Sequence, residues 1–411
     1  MEKTLTRSVF STGLPALLVA QFFSALADNA ILIAAIAIVK SRGAEGLIPL
    51  LQGAFVVPFL LLAPFVGQIA DAFPKGRVML FANILKLIGS LLMLAGVNPL
   101  AAYGVIGVGA TVYSPAKYGI LSQMLAPSVL VKANGALEGS TIAAILLGVT
   151  LGGFMADRSL DLAFAVVVAA YAIATAANFF IPLLTPAKPG TRFDPTGFFS
   201  DFFASLKTLF SDPDARFSLL GTSVFWGSGI TLRLLLFAWV PAALSIADNR
   251  TPANLMGIVS VGIVVGAALA GALVPLEKAS RALVGGLSLG PLILALTFVR
   301  DFKAAALVMG LIGVCGGFFI VPLNALLQRR GHVSVGAGNA LAIQNFAENS
   351  AMLLFVAVYS SMNALGVSIN HTVAGFGAVM LVAMLVIRRQ KTERPSASGI
   401  RDQMKTDRSF C

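Results

Sequence analysis

Asp28, Arg233 and Glu348 each fall near the middle of a long apolar run. An unpaired charge there costs several kcal/mol unless it faces a cavity or a partner. The runs centre near residues 27, 231 and 348. At about 1.5 Å rise per residue, the three charges lie within roughly 3 Å of a common plane. Arginine offers a planar fork of donors that fits a phosphate bidentately. Carboxylates accept from an ammonium or from hydroxyls. Asn29 adjoins Asp28, and Asn345 and Asn349 flank Glu348. These amides could orient the acids, but ordinary interhelical hydrogen bonding accounts for them more simply. Lys117 and Glu138 lie one to two turns from the ends of their runs. They form either a second polar station or a structural pair.

The same charges also support a structural reading. Lys86 lies nine residues past Arg77, roughly 13 Å deep in its run. That is too deep for easy snorkelling, so it points inward and could neutralise one carboxylate. Two acids and two bases then make either a closed set that locks helices together or a gate that a polar cargo opens. Enzymatic chemistry has little to build on. The only histidines, His332 and His371, have no partners at a catalytic spacing. Cys315 and Cys411 offer neither metal-ligand spacing nor a disulfide framework. No cofactor or metal is expected.

Composition says that these runs cross a bilayer. Of 411 residues, 57% are hydrophobic and only 11% charged, with a mean hydropathy of +0.89. Soluble chains carry about 25% charged residues because a water-facing surface needs them. A crossing helix takes about twenty apolar residues. Runs near 14–39, 47–71, 78–97, 100–122, 133–155 and 160–186 meet that length, as do 218–244, 254–276, 282–299, 304–327, 336–361 and 367–387. None alternates like a strand, which argues against a barrel. The first run is too long for a signal-peptide core and reads as a retained span. The expected fold is an all-α membrane protein with twelve transmembrane helices in two six-helix halves. Residues 1–186 form the first half, 187–216 a linker, 217–388 the second half and 389–411 a basic tail.

The net charge of +11 does not point to nucleic acid, because the basic residues follow topology. With the N-terminus inside, twenty of the 29 lysines and arginines fall on cytoplasmic segments, among them Lys75, Arg77, Lys132, Lys207, Lys278, Arg281, Arg329 and Arg330. Six fall outside, and Lys86, Lys117 and Arg233 lie within runs. The positive-inside rule therefore places both termini in the cytoplasm. The excess also draws the cytoplasmic face to anionic membrane lipids.

Pro182, Pro186, Pro189 and Gly190 mark the start of the linker, since proline ends a helix. Within it, Phe198, Phe199, Phe202, Phe203, Leu206, Leu209 and Phe210 make one apolar stripe, with Asp201 opposite and Lys207 at its edge. The stripe suits a helix on the inner leaflet or one packed under the bundle. The halves share a weak pattern: Pro115 precedes Glu138 by 23 residues, and Pro322 precedes Glu348 by 26. Parallel repeats in transporters leave such traces. Gly139, Gly148, Gly152 and Gly153 in span five, with Gly257, Gly262, Gly266 and Gly271 in span eight, read as sites of close helix packing.

The stretch from Gly67 to Arg77 is similar to the signature between helices two and three of the major facilitator superfamily. It departs at Ala72, where a basic residue is usual, and Gly76 comes two positions late. Asp71 would end a helix while Lys75 and Arg77 anchor the cytoplasmic face. Longer stretches, Gln21 to Ala30, Tyr113 to Ile120, Val321 to Gln328, Gly336 to Ala340 and Gln344 to Ser350, resemble the bacterial lysophospholipid transporter family. That resemblance implies a flippase moving lysophosphatidylethanolamine and related lysolipids from the outer to the inner leaflet of the inner membrane for reacylation. The acyltransferase would be a separate partner. Asp28 and Arg233 would line the central cavity. Arg233 would hold the phosphate, and Asp28 or Glu348 the ethanolamine ammonium or glycerol hydroxyls. A proton-coupled exporter of amphipathic drugs or metabolites, with Asp28 or Glu348 as proton carrier, is the competing expectation.

Overall fold

Backbone that enters hydrocarbon must satisfy its own hydrogen bonds, and this chain does so in helices. The computed structural model describes residues 2–43, 47–156, 158–187, 197–246 and 250–393. The first half comprises α1 (Glu2–Ser41), α2 (Ile48–Leu61), α3 (Ala63–Ala72), α4 (Lys75–Leu94), α5 (Pro99–Met124), α6 (Pro127–Ala156) and α7 (Leu160–Asn178). A linker helix α8 (Gly197–Ser211) leads to the second half. There follow α9 (Pro213–Leu244), α10 (Arg250–Leu273), α11 (Leu283–Ala295), α12 (Phe302–Ser334), α13 (Ala337–Ala364) and α14 (Ile369–Glu393). Large side chains such as Leu61, Phe81, Phe154, Leu307 and Leu354 are more than half exposed, as a lipid-facing exterior requires.

Among the described residues, ten helical segments are long and apolar enough to cross a membrane, or eleven with the bent pair α2–α3 as one span. The remaining expected run, 100–122, is α5. Its 26 residues suffice in length, but Thr111, Tyr113, Ser114 and Lys117 dilute its apolarity. The count of twelve is therefore not reached on length and composition. The 67° bend between α2 and α3 has a local cause. Pro64 has no amide to donate back to Leu60, and its ring crowds that carbonyl.

Local chemistry sets the helix ends. Asp212 caps α9 by accepting from the amides of Asp214 and Ala215 at 2.8 and 2.9 Å, with Pro213 in the first turn. Asp301 caps α12 through Ala304 at 3.0 Å. The expected run 160–186 is helical only to Asn178, before Pro182 and Pro186. Lys188, Pro189, Gly190, Arg192 and the tail from residue 394 lie outside the described residues.

Small residues let helices close on one another. Gly148 and Gly152 of α6 sit against Leu26 and Ala30 of α1, while Gly262 and Gly266 of α10 sit against Gly313 and Val314 of α12. A side chain at any of these four would strike the neighbouring backbone. Gly153 and Gly257, by contrast, face open space.

The apolar stripe of α8 divides between two surroundings. Phe198, Phe202 and Leu209 are buried, with Phe202 edge-on to Phe346 of α13 at 5.5 Å. Phe199 and Phe203 stay more than half exposed. Asp201 accepts from Gln68 of α3 at 3.4 Å, and Ser205 from Asn339 of α13 at 3.4 Å. The helix therefore packs beneath both halves and keeps an apolar face free.

Candidate functional site

The two halves are joined at the end of the bundle that carries Lys75, Arg77, Lys132, Lys278, Arg281, Arg329 and Arg330, called here the basic end. Asp71, last but one in α3, accepts from the Gly338 and Asn339 amides that open α13, at 2.8 and 3.0 Å. A carboxylate thus caps a helix of the other half, matching its positive dipole end. Lys75 also donates to Asp71 at 2.9 Å and to the Ala70 carbonyl at 2.7 Å, with 1% of its side chain exposed. It is therefore an internal counterion, not the anchor of the cytoplasmic face that was expected. Arg77 alone of the two is exposed.

Deeper in the bundle, side-chain amides form a ladder. Asn134 of α6 and Gln328 of α12 exchange hydrogen bonds at 2.9 and 2.6 Å. One turn further in, Glu138 of α6 accepts from Asn324 of α12 at 3.1 Å and from the Tyr118 hydroxyl at 2.8 Å. Gln344 of α13 then donates at 2.7 Å both to Asn324 Oδ1 and to Glu348 Oε1. The run Tyr118–Glu138–Asn324–Gln344–Glu348 crosses from the first half to the second. Asn345 of α13 bridges to Ser114 of α5 at 2.9 Å. Lys117 makes no ion pair with Glu138. Its ammonium lies 4.2 Å from the centre of the Tyr118 ring instead.

Asp28 occupies a separate network within the first half. Lys86 of α4 donates to its Oδ2 at 2.8 Å, and Tyr171 of α7 to its Oδ1 at 2.8 Å. Lys86 also donates to Ser24 at 3.0 Å, and Ser24 to Asn83 at 2.8 Å. Asn29 is turned back to the Ala25 carbonyl at 2.8 Å and does not orient Asp28. Asn349 likewise bonds the Asn345 carbonyl at 2.8 Å.

Arg233 belongs to neither network. Its side chain is exposed, and among the described residues it has no ion pair or hydrogen bond. It lines a cavity of about 310 Å³ between helices of the second half, whose wall includes Trp226, Met256, Met309, Met352 and Met380. The fold therefore separates the three central charges. Asp28 is paired in the first half, Glu348 ends a ladder between halves, and Arg233 stands free beside an apolar chamber.

The family of this architecture is settled by comparison with known proteins. Residues 17–356 match the Major Facilitator Superfamily profile. The chain belongs to the major facilitator superfamily. Among solved structures, the human organic anion transporter MFSD10 (TETRAN) superposes with a TM-score of 0.73 at 14% identity, covering 91% of this chain and 98% of that one. The Major Facilitator Superfamily transporter FucP in its outward conformation gives 0.68 at 13% identity, over 92% and 97%. At such identity both speak for the fold alone. Much nearer in sequence is the lysophospholipid transporter LplT of Escherichia coli (strain K12), 49% identical over 381 residues, which span 92% of this chain and 96% of that protein.

Sequence reasoning named Asp28, Arg233, Glu348, Lys117, Glu138 and Asn29 but overlooked the ladder. A signal was available. Asn134 and Glu138, Asn324 and Gln328, and Gln344 and Glu348 are three polar pairs at i, i+4 on three different spans. That spacing stacks each pair on one helix face.

Proposed function

We propose that this protein is a lysophospholipid transporter that moves its substrate from the outer to the inner leaflet of a bacterial inner membrane. The observation that carries the reading is Arg233: an unpaired guanidinium at the wall of a methionine-lined apolar chamber. A phosphate on the fork and an acyl chain on adjoining apolar wall is the arrangement a lysolipid needs. The relationship to LplT, at 49% identity over almost the full length of both chains, supports the same substrate. By the positive-inside rule the basic end faces the cytoplasm, with both chain termini on that side. The halves are then shut toward the cytoplasm, so the site is reached from the outer side.

In this reading Arg233 binds phosphate at the chamber wall, while Glu348 at the end of the ladder and Asp28 with Lys86 in the first half offer charges to the headgroup outside that chamber. Glu138 belongs to the ladder, with Lys117 beside its Tyr118. Product delivered to the inner leaflet would be reacylated by an acyltransferase acting there. Purified protein in proteoliposomes tests the function. Lysophosphatidylethanolamine labelled in the outer leaflet should become protected from added albumin only when protein is present. Protection equal to that of empty liposomes overturns the proposal.

A further inference from the structure

Among the ladder members, Gln344 alone keeps a buried side-chain atom without a hydrogen-bond partner among the described residues. It is 4% exposed, and its Oε1 is buried with no donor. Its Nε2 meanwhile serves two acceptors at 2.7 Å, Asn324 of α12 and Glu348 one turn along α13. A buried orphan acceptor is costly, and native proteins leave few of them. Beside it stands Glu348, which accepts from Gln344 at 2.7 Å and from the Thr222 hydroxyl of α9, and which pairs with no lysine or arginine among the described residues. The Gln344 oxygen and the Glu348 carboxylate are thus two acceptors one helical turn apart, the first of them without a donor.

We propose that Gln344 couples the substrate's headgroup to the closure between the halves: a headgroup carrying its own N–H or O–H donors binds Glu348 and the Gln344 oxygen, and so frees the amide from Asn324. The inference rests on the lysolipid reading above. Donation to Glu348 removes the need for Gln344 there, and donation to Oε1 draws the amide round toward the cavity. The Asn324 bond is then given up. Asn324 otherwise reaches Glu138 across the interface at 3.1 Å, so the upper rung loosens while Asn134–Gln328 remains. A ligand shifts a two-state equilibrium only by its differential affinity for the two states. Here that difference is a hydrogen-bond set that becomes complete when the rung opens. The primary ammonium of ethanolamine and the hydroxyls of a glycerol headgroup, beyond the phosphate, qualify. The trimethylammonium of choline has no donor and does not.

Opening can be read from spin labels at Lys132→Cys and Lys278→Cys, exposed positions on opposite halves at the basic end, in full-length protein carrying Cys315→Ser and Cys411→Ser. Lysophosphatidylethanolamine and lysophosphatidylglycerol should raise the separated population at least twofold. Lysophosphatidylcholine, confirmed to bind by quenching of Trp226, should leave it unchanged. Gln344→Met should show the separated population without lipid and lose the distinction among headgroups. Gln344→Glu, which cannot donate to Asn324, should do the same and serves if the methionine variant does not fold. Equal opening by all three lipids in the unsubstituted ladder overturns the inference even if neither variant folds. So does a folded Gln344 variant that stays closed like its parent. Liposome uptake by the parent separates the two claims: no movement of any lysolipid sinks the transport reading, whereas movement with headgroup-blind opening sinks only this one.

Discussion

Lys86 and Asp28 meet at 2.8 Å between α4 and α1, with 2% of the lysine side chain and 19% of the aspartate exposed. Breaking such a pair from one side strands a charge in low dielectric and costs about 3 kcal/mol or more. Lys86→Met should therefore lower thermal stability sharply, as followed by size-exclusion chromatography of heated samples. The double change Lys86→Met with Asp28→Asn should recover much of it. A double variant as unstable as the single one would show that the pair does not set the cost. Restored stability without restored transport would give the pair a part in the transport cycle.

Among the described residues Arg233 has no ion-pair or hydrogen-bond partner to lose. Arg233→Ala should fold and insert like the parent yet reduce lysolipid uptake by about tenfold or more, the scale of a lost charge-assisted fork. Arg233→Lys keeps the charge without the planar geometry and should recover only part. Full uptake by the alanine variant would remove the phosphate assignment.

How much of this was legible follows from what helices encode. Apolar length reports a span directly, so the helical runs, the linker helix and the central charges could all be read along the chain. The partner of each charge depends on the rotation and depth of neighbouring helices, which no single run records. Lys86 was expected to neutralise some carboxylate, but only the packing of α1, α4 and α7 selects Asp28 and adds Tyr171. Lys75 looked like a surface anchor because it follows a turn; α13 covers that turn and buries it. The bend at Leu62 was hidden because Pro64 lies inside the unbroken apolar stretch from Gly53 to Gly67. The ladder was legible in principle, as i, i+4 polar pairs, and was missed because uncharged amides in a span resemble ordinary packing.

The two faces of α8 should differ in consequence. Phe202 is buried against Phe346, and removing a buried aromatic side chain costs about 3 kcal/mol. Phe202→Ala should lower stability clearly, whereas Phe199→Ala with Phe203→Ala should change it little in detergent. The latter pair should instead weaken association of α8 with anionic bilayers, read from the fluorescence of a label at Lys207→Cys. Equal destabilisation from both faces would mean that the exposed phenylalanines are packed in the working protein.

Asp71 acts on two elements at once, as cap of α13 and counterion of Lys75. Asp71→Asn keeps its size but removes the charge facing the helix dipole, worth about 1 kcal/mol, and leaves Lys75 buried with only the Ala70 carbonyl. The closed arrangement should lose population, seen as faster labelling of a cysteine placed at Ala342, which is buried against Gly67 of the first half. Unchanged labelling would show that the cap does not hold the closure.

The last prediction separates the flippase from the proton-coupled exporter. Among the described residues, the hydrogen bonds between the halves lie at the basic end and in the ladder next to it: Asp71 to Gly338 and Asn339, Asn134 to Gln328, Glu138 to Asn324 and Ser114 to Asn345. If that end faces the cytoplasm, Arg233 and its apolar chamber are offered to the outer side before the cycle begins. A flippase working inward must load there, and a lysolipid can do so with its headgroup in the polar interior and its single chain on apolar wall. An exporter must load from the inside, through the closed ladder. Lysolipid placed in the outer leaflet should therefore move inward with no proton gradient required for binding. Cells lacking the protein should be no more sensitive than their parent to toxic cationic amphiphiles. Hypersensitivity to those compounds with unchanged lysolipid movement would replace the flippase with the exporter, and would shift attention from Arg233 to Glu348 as the residue that changes charge during transport.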